Sequence, residues 1–184
     1  MQKTKIKNYS IGPFPTVLAG AHVHDRPNFA IAGAYGVVCL EPVLYISLKS
    51  THHTTAGIKE NGYFSINIPS ADMVRQTDYC GIVSGATADK STVFNFFYDE
   101  LGKAPLINEC PLNFLCKVIQ TVPVYGFDMF LGEIVAAYAN ESCLSDGKPD
   151  PAKIHPMMIM GTQYWELGQA VGTVYKEGKG VNIV

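Results

Sequence analysis

The chain is punctuated too often to build long helices. Asn28 to Tyr35, Val43 to Leu48 and Tyr63 to Ile68 are short runs rich in β-branched and aromatic residues, bounded by Glu41-Pro42, Gly62 and Pro69. Proline has no N–H to donate to a ladder and glycine weakens one, so each run reads as a strand with a defined stop. Further on, Pro111 to Val122 and Met129 to Ala139 flank Pro123-Val124-Tyr125-Gly126, the pattern of a large hairpin. A last extended region, Met157 to Leu167, holds the single tryptophan, Trp165. Only short helices find room: Thr54 to Asn61, stopped by Gly62, and a segment capped by Ser70 that runs through Met73, Val74 and Thr77 toward Tyr79. Strands not alternated with long helices lack the crossovers that parallel pairing needs. The fold expected is therefore mainly β, a closed or partly closed barrel.

The 184 residues suffice for one domain with a real core. Residues 16–167 are expected to form it, after a lead-in over 1–15 ending in Gly12-Pro13-Phe14-Pro15 and before a glycine- and lysine-rich tail over 168–184. With 47% hydrophobic and 16% charged residues and a net charge of −2, the chain is neither disordered nor basic enough to attract nucleic acid or anionic lipid. Gly33 to Leu40, among its longest apolar runs, falls far short of the roughly 20 residues that cross a bilayer. Met1 to Asn8 lacks the apolar stretch of a signal peptide, so the expected compartment is the cytoplasm.

Five cysteines, an odd number with no C-x-x-C, suit a reducing compartment better than a disulfide framework. Cys110 and Cys116 would share a face if their segment is a strand, although buried free thiols are the ordinary outcome. His22 and His24 could likewise lie on one strand face, but two ligands do not define a metal site, and none is expected. No G-x-G-x-x-G, Walker loop, G-x-S-x-G or H-E-x-x-H occurs, which removes the common dinucleotide, triphosphate, hydrolase and metalloprotease readings.

Three segments can carry chemistry. Ser47-Leu48-Lys49-Ser50-Thr51-His52-His53-Thr54-Thr55 joins a strand end to a helix start, where unpaired N–H groups, the hydroxyls of Thr54 and Thr55 and the charge of Lys49 suit an anion such as a terminal phosphate. A capped surface helix would show the same residues. Phe29-Ala30-Ile31-Ala32-Gly33-Ala34-Tyr35-Gly36 has side chains small enough for a flat ligand to approach the backbone, with Tyr35 able to cover one face; close helix packing is the alternative. Asp78-Tyr79-Cys80-Gly81-Ile82-Val83-Ser84-Gly85, continuing to Asp89-Lys90, is a helix exit followed by a glycine-containing turn and an acid-base pair, of which Lys90 is either an exposed lysine or a cation beside the ligand.

In this order the segments resemble the flavoredoxin branch of the flavin-reductase-like family, from about Pro27 to Leu167. The likeness rests on Ser47-Leu48-Lys49 with His53-Thr54, the run Ile58 to Pro69, Asp78-Tyr79-Cys80-Gly81 with Ser84-Gly85 and Asp89-Lys90, Ala104 to Ile107 with Glu109-Cys110-Pro111, and Phe130-Leu131-Gly132-Glu133-Ile134-Val135. The resemblance implies an FMN-binding split β-barrel with a few short flanking helices. It implies that Ser47, Lys49, Thr54 and Thr55 face the FMN phosphate, that Ala32, Gly33, Ala34 and Tyr35 line the ring, and that Ser84, Gly85 and Lys90 close the site, with Leu48, His53, Asn67 and Cys80 as further cofactor-binding candidates. Lys90 would sit near the N1 and O2 edge, where negative charge gathers on reduction. A homodimer is implied as well, with NAD(P)H or a redox protein as electron partner.

Two positions depart from the family pattern. Relatives that dock a pyridine nucleotide often carry Gly-Asp-His before the Phe-Leu-Gly-Glu strand, where this chain has Gly126-Phe127-Asp128-Met129. His52 stands where an arginine is common in the phosphate loop. The expected function is FMN-based electron transfer, by a flavoredoxin-like carrier or an NAD(P)H-dependent flavin reductase. A non-catalytic barrel that binds another planar cofactor such as haem is the alternative.

Overall fold

The structure is a computed structural model and describes residues 2–5, 12–39 and 42–180. Glu41 of the expected Glu41-Pro42 turn, part of the lead-in and the end of the tail lie outside the described residues. Seven strands form the main sheet: β1 (Val17–Val23), β2 (Arg26–Ala32), β3 (Ala34–Cys39), β4 (Val43–Lys49), β5 (Tyr63–Ile68), β6 (Leu112–Val124) and β7 (Phe127–Ala139). Their order is β2-β1-β5-β6-β7-β4-β3, with antiparallel neighbours throughout. The two edge strands, β2 and β3, follow one another in the chain and meet at Gly33, so the sheet has to curl until its ends come together. No ladder joins them, which leaves a barrel split along that seam.

Alternation fills the barrel. Val17, Ala19 and Ala21 of β1, Leu44, Ile46 and Leu48 of β4, and Phe64 and Ile66 of β5 point into one core cluster with Phe130 of β7. The opposite face of the β1-β2 pair, through Leu18 and Phe29, packs with Met73, Cys80, Phe94 and Ile107 in a second cluster. Burial on both faces makes Val-Leu-Ala-Gly-Ala-His-Val a strand despite its low intrinsic β preference.

Two helices flank the barrel. Helix α1 (His53–Asn61) ends as expected at Gly62, whose left-handed backbone (φ 69°) lets its N–H reach the Ile58 carbonyl. Beyond Ser70 comes a short 3₁₀ turn, Ala71–Met73, and then helix α2 (Val74–Ile82), which runs past Tyr79. The Ser70 hydroxyl bonds the Asp72 carboxylate instead of capping the helix.

Other sequence expectations shift in instructive ways. Pro123 lies inside β6, opposite Asp128, because the hairpin turns at Tyr125-Gly126, both left-handed. Phe14–Pro15 is not merely a lead-in: it pairs with Ile159 and Met158 of Met157–Met160, which in turn pairs with Gln163–Glu166. Cys116 lies on β6 in the barrel core, while Cys110 precedes the strand and joins the second cluster, so they share no face. His22 is on β1, but His24 is in the turn that follows (φ 49°), which separates the two imidazoles. The 168–180 segment is exposed, and among the described residues no helix is long and apolar enough to cross a membrane.

A buried amide network ties β1, β5 and β6 to the 105–107 segment. Asn67, fully buried, donates to the Leu18 carbonyl and the Ser65 hydroxyl and accepts from the Ile107 N–H and the Asn113 amide. Asn67→Ala strands those partners in the core, so it is expected to lose about 2–3 kcal/mol of stability. A denaturant midpoint equal to the parent's would contradict that role.

Candidate functional site

The turn from β4 into α1 brings the helix start against β2. His52 N–H donates to the Lys49 carbonyl, and the Thr55 hydroxyl donates to the same carbonyl at 2.9 Å. Thr54, also buried, accepts from the Asn28 amide of β2 at 2.7 Å. These bonds fix the first turn of α1 with no side-chain cap on its N–H groups, and the partial positive charge of the helix end faces the space beside β2.

The exit of α2 forms the other wall. A Cβ on Gly85 would fall 2.0 Å from the Asn28 Oδ1, and one on Gly81 would fall 2.8 Å from the Ile31 side chain, so the chain passes β2 closer than any side chain permits. Past that crossing Lys90 folds inward. It is only 3% exposed, and its ammonium donates to the Cys80 carbonyl at 3.1 Å. No carboxylate pairs with it among the described residues. Burial lowers the Lys90 pKa, opposed by Cys80, and the Cys80 thiol is pushed up to about 11 by burial. A buried cation held by one carbonyl lacks its counter-charge.

Two cavities open here and share His53, Gly85 and Lys90. The smaller, about 200 Å³, lies between Ala30 and Ile31 of β2, residues 51–54, and residues 80–85. The larger, about 500 Å³, lies between the β1-β2 turn and residues 85–90. Their rims are basic. Burial lowers the His52 pKa, with Lys49 and Lys90 adding to the effect, and burial lowers that of His53, aided by His24 and Lys90. Both imidazoles stand in a positive field that an anion would relieve.

Of the residues expected at the site, His53, Thr54, Cys80, Ser84, Gly85 and Lys90 line these cavities. Thr55 lies just behind them, its hydroxyl engaged with Lys49. Lys49 is exposed at the end of β4, close enough to His52 to depress its pKa. Leu48 points into the barrel core, and Ser47 is half-buried opposite Met129 and Ala34. Ala32 and Tyr35 pack on the core, Gly33 sits at the seam near Phe14 and Ile159, and Ala34 is exposed; none of the four lines either cavity. Neither does Asn67. The β2 wall uses Asn28, Ala30 and Ile31 instead. Asn28 had a readable signal, an amide beginning an apolar strand, whereas the parts played by His24 and Arg26 emerge only from the turn between β1 and β2.

A split barrel with a basic cleft between a helix start and a glycine-bearing loop defines the class, and comparison identifies it. Residues 10–167 match the flavin reductase like domain, and the chain belongs to that family of flavoproteins, in its flavoredoxin branch. The crystal structure of flavoredoxin from Methanosarcina acetivorans is 42% identical and matches with a TM-score of 0.93 over 97% of this chain and 98% of that one. Flavoredoxin of Desulfovibrio vulgaris (Miyazaki F) is 33% identical, with a TM-score of 0.89 over 97% of this chain and all (100%) of that one. An FMN-binding protein from Thermus thermophilus, 18% identical with a TM-score of 0.81 over 94% of this chain and 97% of that one, shares the fold.

Proposed function

We propose that this protein is a flavoredoxin-like electron carrier that holds FMN non-covalently across the two joined cavities beside α1. The observation that carries the reading is Lys90, a buried ammonium without a carboxylate, beside the open start of α1. The phosphate would meet the N–H groups of His53 and Thr54, while Ala30 and Ile31 offer a flat backbone to the ring and Gly81 and Gly85 hold the opposite wall close. Bound FMN supplies the redox chemistry. The residues orient it and neutralise its charge, and none is needed as a nucleophile.

The hairpin supports a carrier over a nucleotide-dependent reductase. Asp128, where the family's Gly-Asp-His element falls, is buried and ion-paired to Lys59 of α1 at 2.6 Å. Its hydrogen bond to Lys59 holds its carboxyl below the usual range, with Ser50 contributing. Asp128 therefore pins the hairpin to α1 and presents no free group to a nicotinamide nucleotide.

We also propose a homodimer. The β6-β7 hairpin exposes Ile119, Val124, Tyr125 and Phe127, with Tyr125 fully exposed at 102%, an apolar face that a second copy would cover.

The test is to purify the protein, measure its mass in solution by light scattering, saturate it with FMN and record its visible spectrum before and after anaerobic NADH or NADPH. A yellow dimer that keeps its colour with both nucleotides is the expected result. Bleaching on addition favours the reductase, and a preparation that takes up no FMN overturns the flavin reading.

A further inference from the structure

Three imidazoles gather at the cleft from two separate elements. His52 and His53 are the N-cap and first residue of α1, and His24 comes in from the β1-β2 turn, where its ring stands 6.2 Å from that of His53. His52 lines the smaller cavity, His24 the larger, and His53 both. Histidine is the side chain whose ordinary ionisation lies nearest neutral pH, so whatever enters the cleft meets a cluster able to gain or lose a proton there.

The surroundings keep the empty cluster neutral. An imidazolium at a helix start opposes the partial positive charge of the unpaired N–H groups. Burial comes first in holding both His52 and His53 below their ordinary range, followed by Lys49 and Lys90 for His52 and by His24 and Lys90 for His53. Arg26 lines the larger cavity with them, and the Cys80 thiol of the smaller one, pushed up to about 11 by burial, stays uncharged. Little negative charge answers these groups. Asp89 is the one carboxylate lining either cavity, and it already accepts from the Ser91 N–H at 2.9 Å. Asp25 lies beside His24 and acts on His22, Asp128 of the β6-β7 hairpin is ion-paired to Lys59 at 2.6 Å, and Glu60 is at the far end of α1. A phosphate at the helix start supplies the counter-charge that the imidazoles lack.

We infer that loading of FMN draws a proton onto the His52-His53 pair, so that the protein holds its flavin most tightly at mildly acidic pH and releases it more readily above neutrality. The inference rests on the flavin reading of the cleft. The pair binds fewer protons in the empty protein than in the complex, so binding takes up protons between the two ionisation midpoints, and affinity falls as pH rises through that window. Above it both forms are neutral and the dependence flattens. The phosphate's own second ionisation, at about pH 6, works in the other direction, which puts the maximum of affinity at about that pH.

Calorimetric titration of FMN into the full chain, from about pH 6 to about pH 8 and in buffers of different ionisation enthalpy, reads both the affinity and the protons taken up. The comparison is the double variant His52→Gln with His53→Gln, which carries no titrating group at these positions. At about pH 6.5 the parent is expected to take up about half a proton more than the variant, and the ratio of their affinities to grow roughly five- to tenfold from about pH 8 to about pH 6. A ratio that stays constant with pH means that the imidazoles act by packing alone; it overturns the inference and leaves the flavin reading intact. If FMN binds at no pH, the flavin reading fails by itself. In that case, or if the double variant does not fold, the imidazole resonances of the parent, followed by NMR over the same range with and without inorganic phosphate, decide the matter. Phosphate that raises the midpoint of His52 or His53 supports the proton uptake, and midpoints that do not move overturn it.

Discussion

Gly57→Ala is expected to destabilise the protein by about 3 kcal/mol and to weaken FMN binding with it. Alanine normally gains about 1 kcal/mol over glycine inside a helix, so propensity alone gives the opposite sign. Contact decides otherwise. A Cβ on Gly57 would lie 2.0 Å from the His22 carbonyl oxygen and 2.8 Å from the Val23 side chain, and the nearer atom is backbone in a paired strand. Helix α1 would have to lift off β1, disturbing the bond from the Asn61 amide to His22 and shifting His53 and Thr54 at the helix start. A thermal melt should show a midpoint about 6–12 °C lower. Gly168→Ala, in open space with no positive φ, is the control and should shift the midpoint by less than about 2 °C. A Gly57 variant as stable as the parent would mean that α1 is not seated on β1 in this way.

The architecture was legible because it rests on local signals. Gly62 and Pro69 bracket a strand that the structure reproduces as Tyr63–Ile68, and the hairpin is visible in two long apolar runs around a turn. What was hidden depends on contacts between distant segments. Ser84, Gly85 and Lys90 are recognisable as a motif, but that Gly85 touches Asn28 and that Lys90 is buried follow from α2 crossing β2. The small residues from Phe29 to Gly36 read as a platform for a flat ligand, and the strand divides them, turning Ala32 toward the core and giving Ala30 and Ile31 to the cavity. Asn67 was a cofactor candidate only through the family resemblance, and a sequence cannot show that Leu18, Ser65, Ile107 and Asn113 already satisfy it. Period-two patterning gives the face a residue takes only once the strand's partners are known.

Lys90→Met separates stability from binding and should move them in opposite directions. In the unliganded protein the ammonium has given up water for one carbonyl, and methionine fills similar volume without that desolvation, at the loss of the bond to Cys80. The unliganded variant is expected to be more stable by about 1 kcal/mol, a rise of about 2–4 °C in its midpoint. Affinity for FMN should fall by about 2 kcal/mol, roughly thirtyfold, because the flavin's negative groups lose a desolvated cation. The pH dependence gives an independent check of sign. The folded pKa of Lys90 lies below its ordinary value of 10.5, so between the two the unfolded chain binds the extra proton and stability rises with pH. The parent should show that rise on its approach to pH 10.5, and Lys90→Met should lose this contribution. If methionine instead destabilises the unliganded protein and leaves FMN affinity intact, Lys90 is a structural tie between residue 90 and α2, and the positive charge at the heart of the cleft has no ligand to answer.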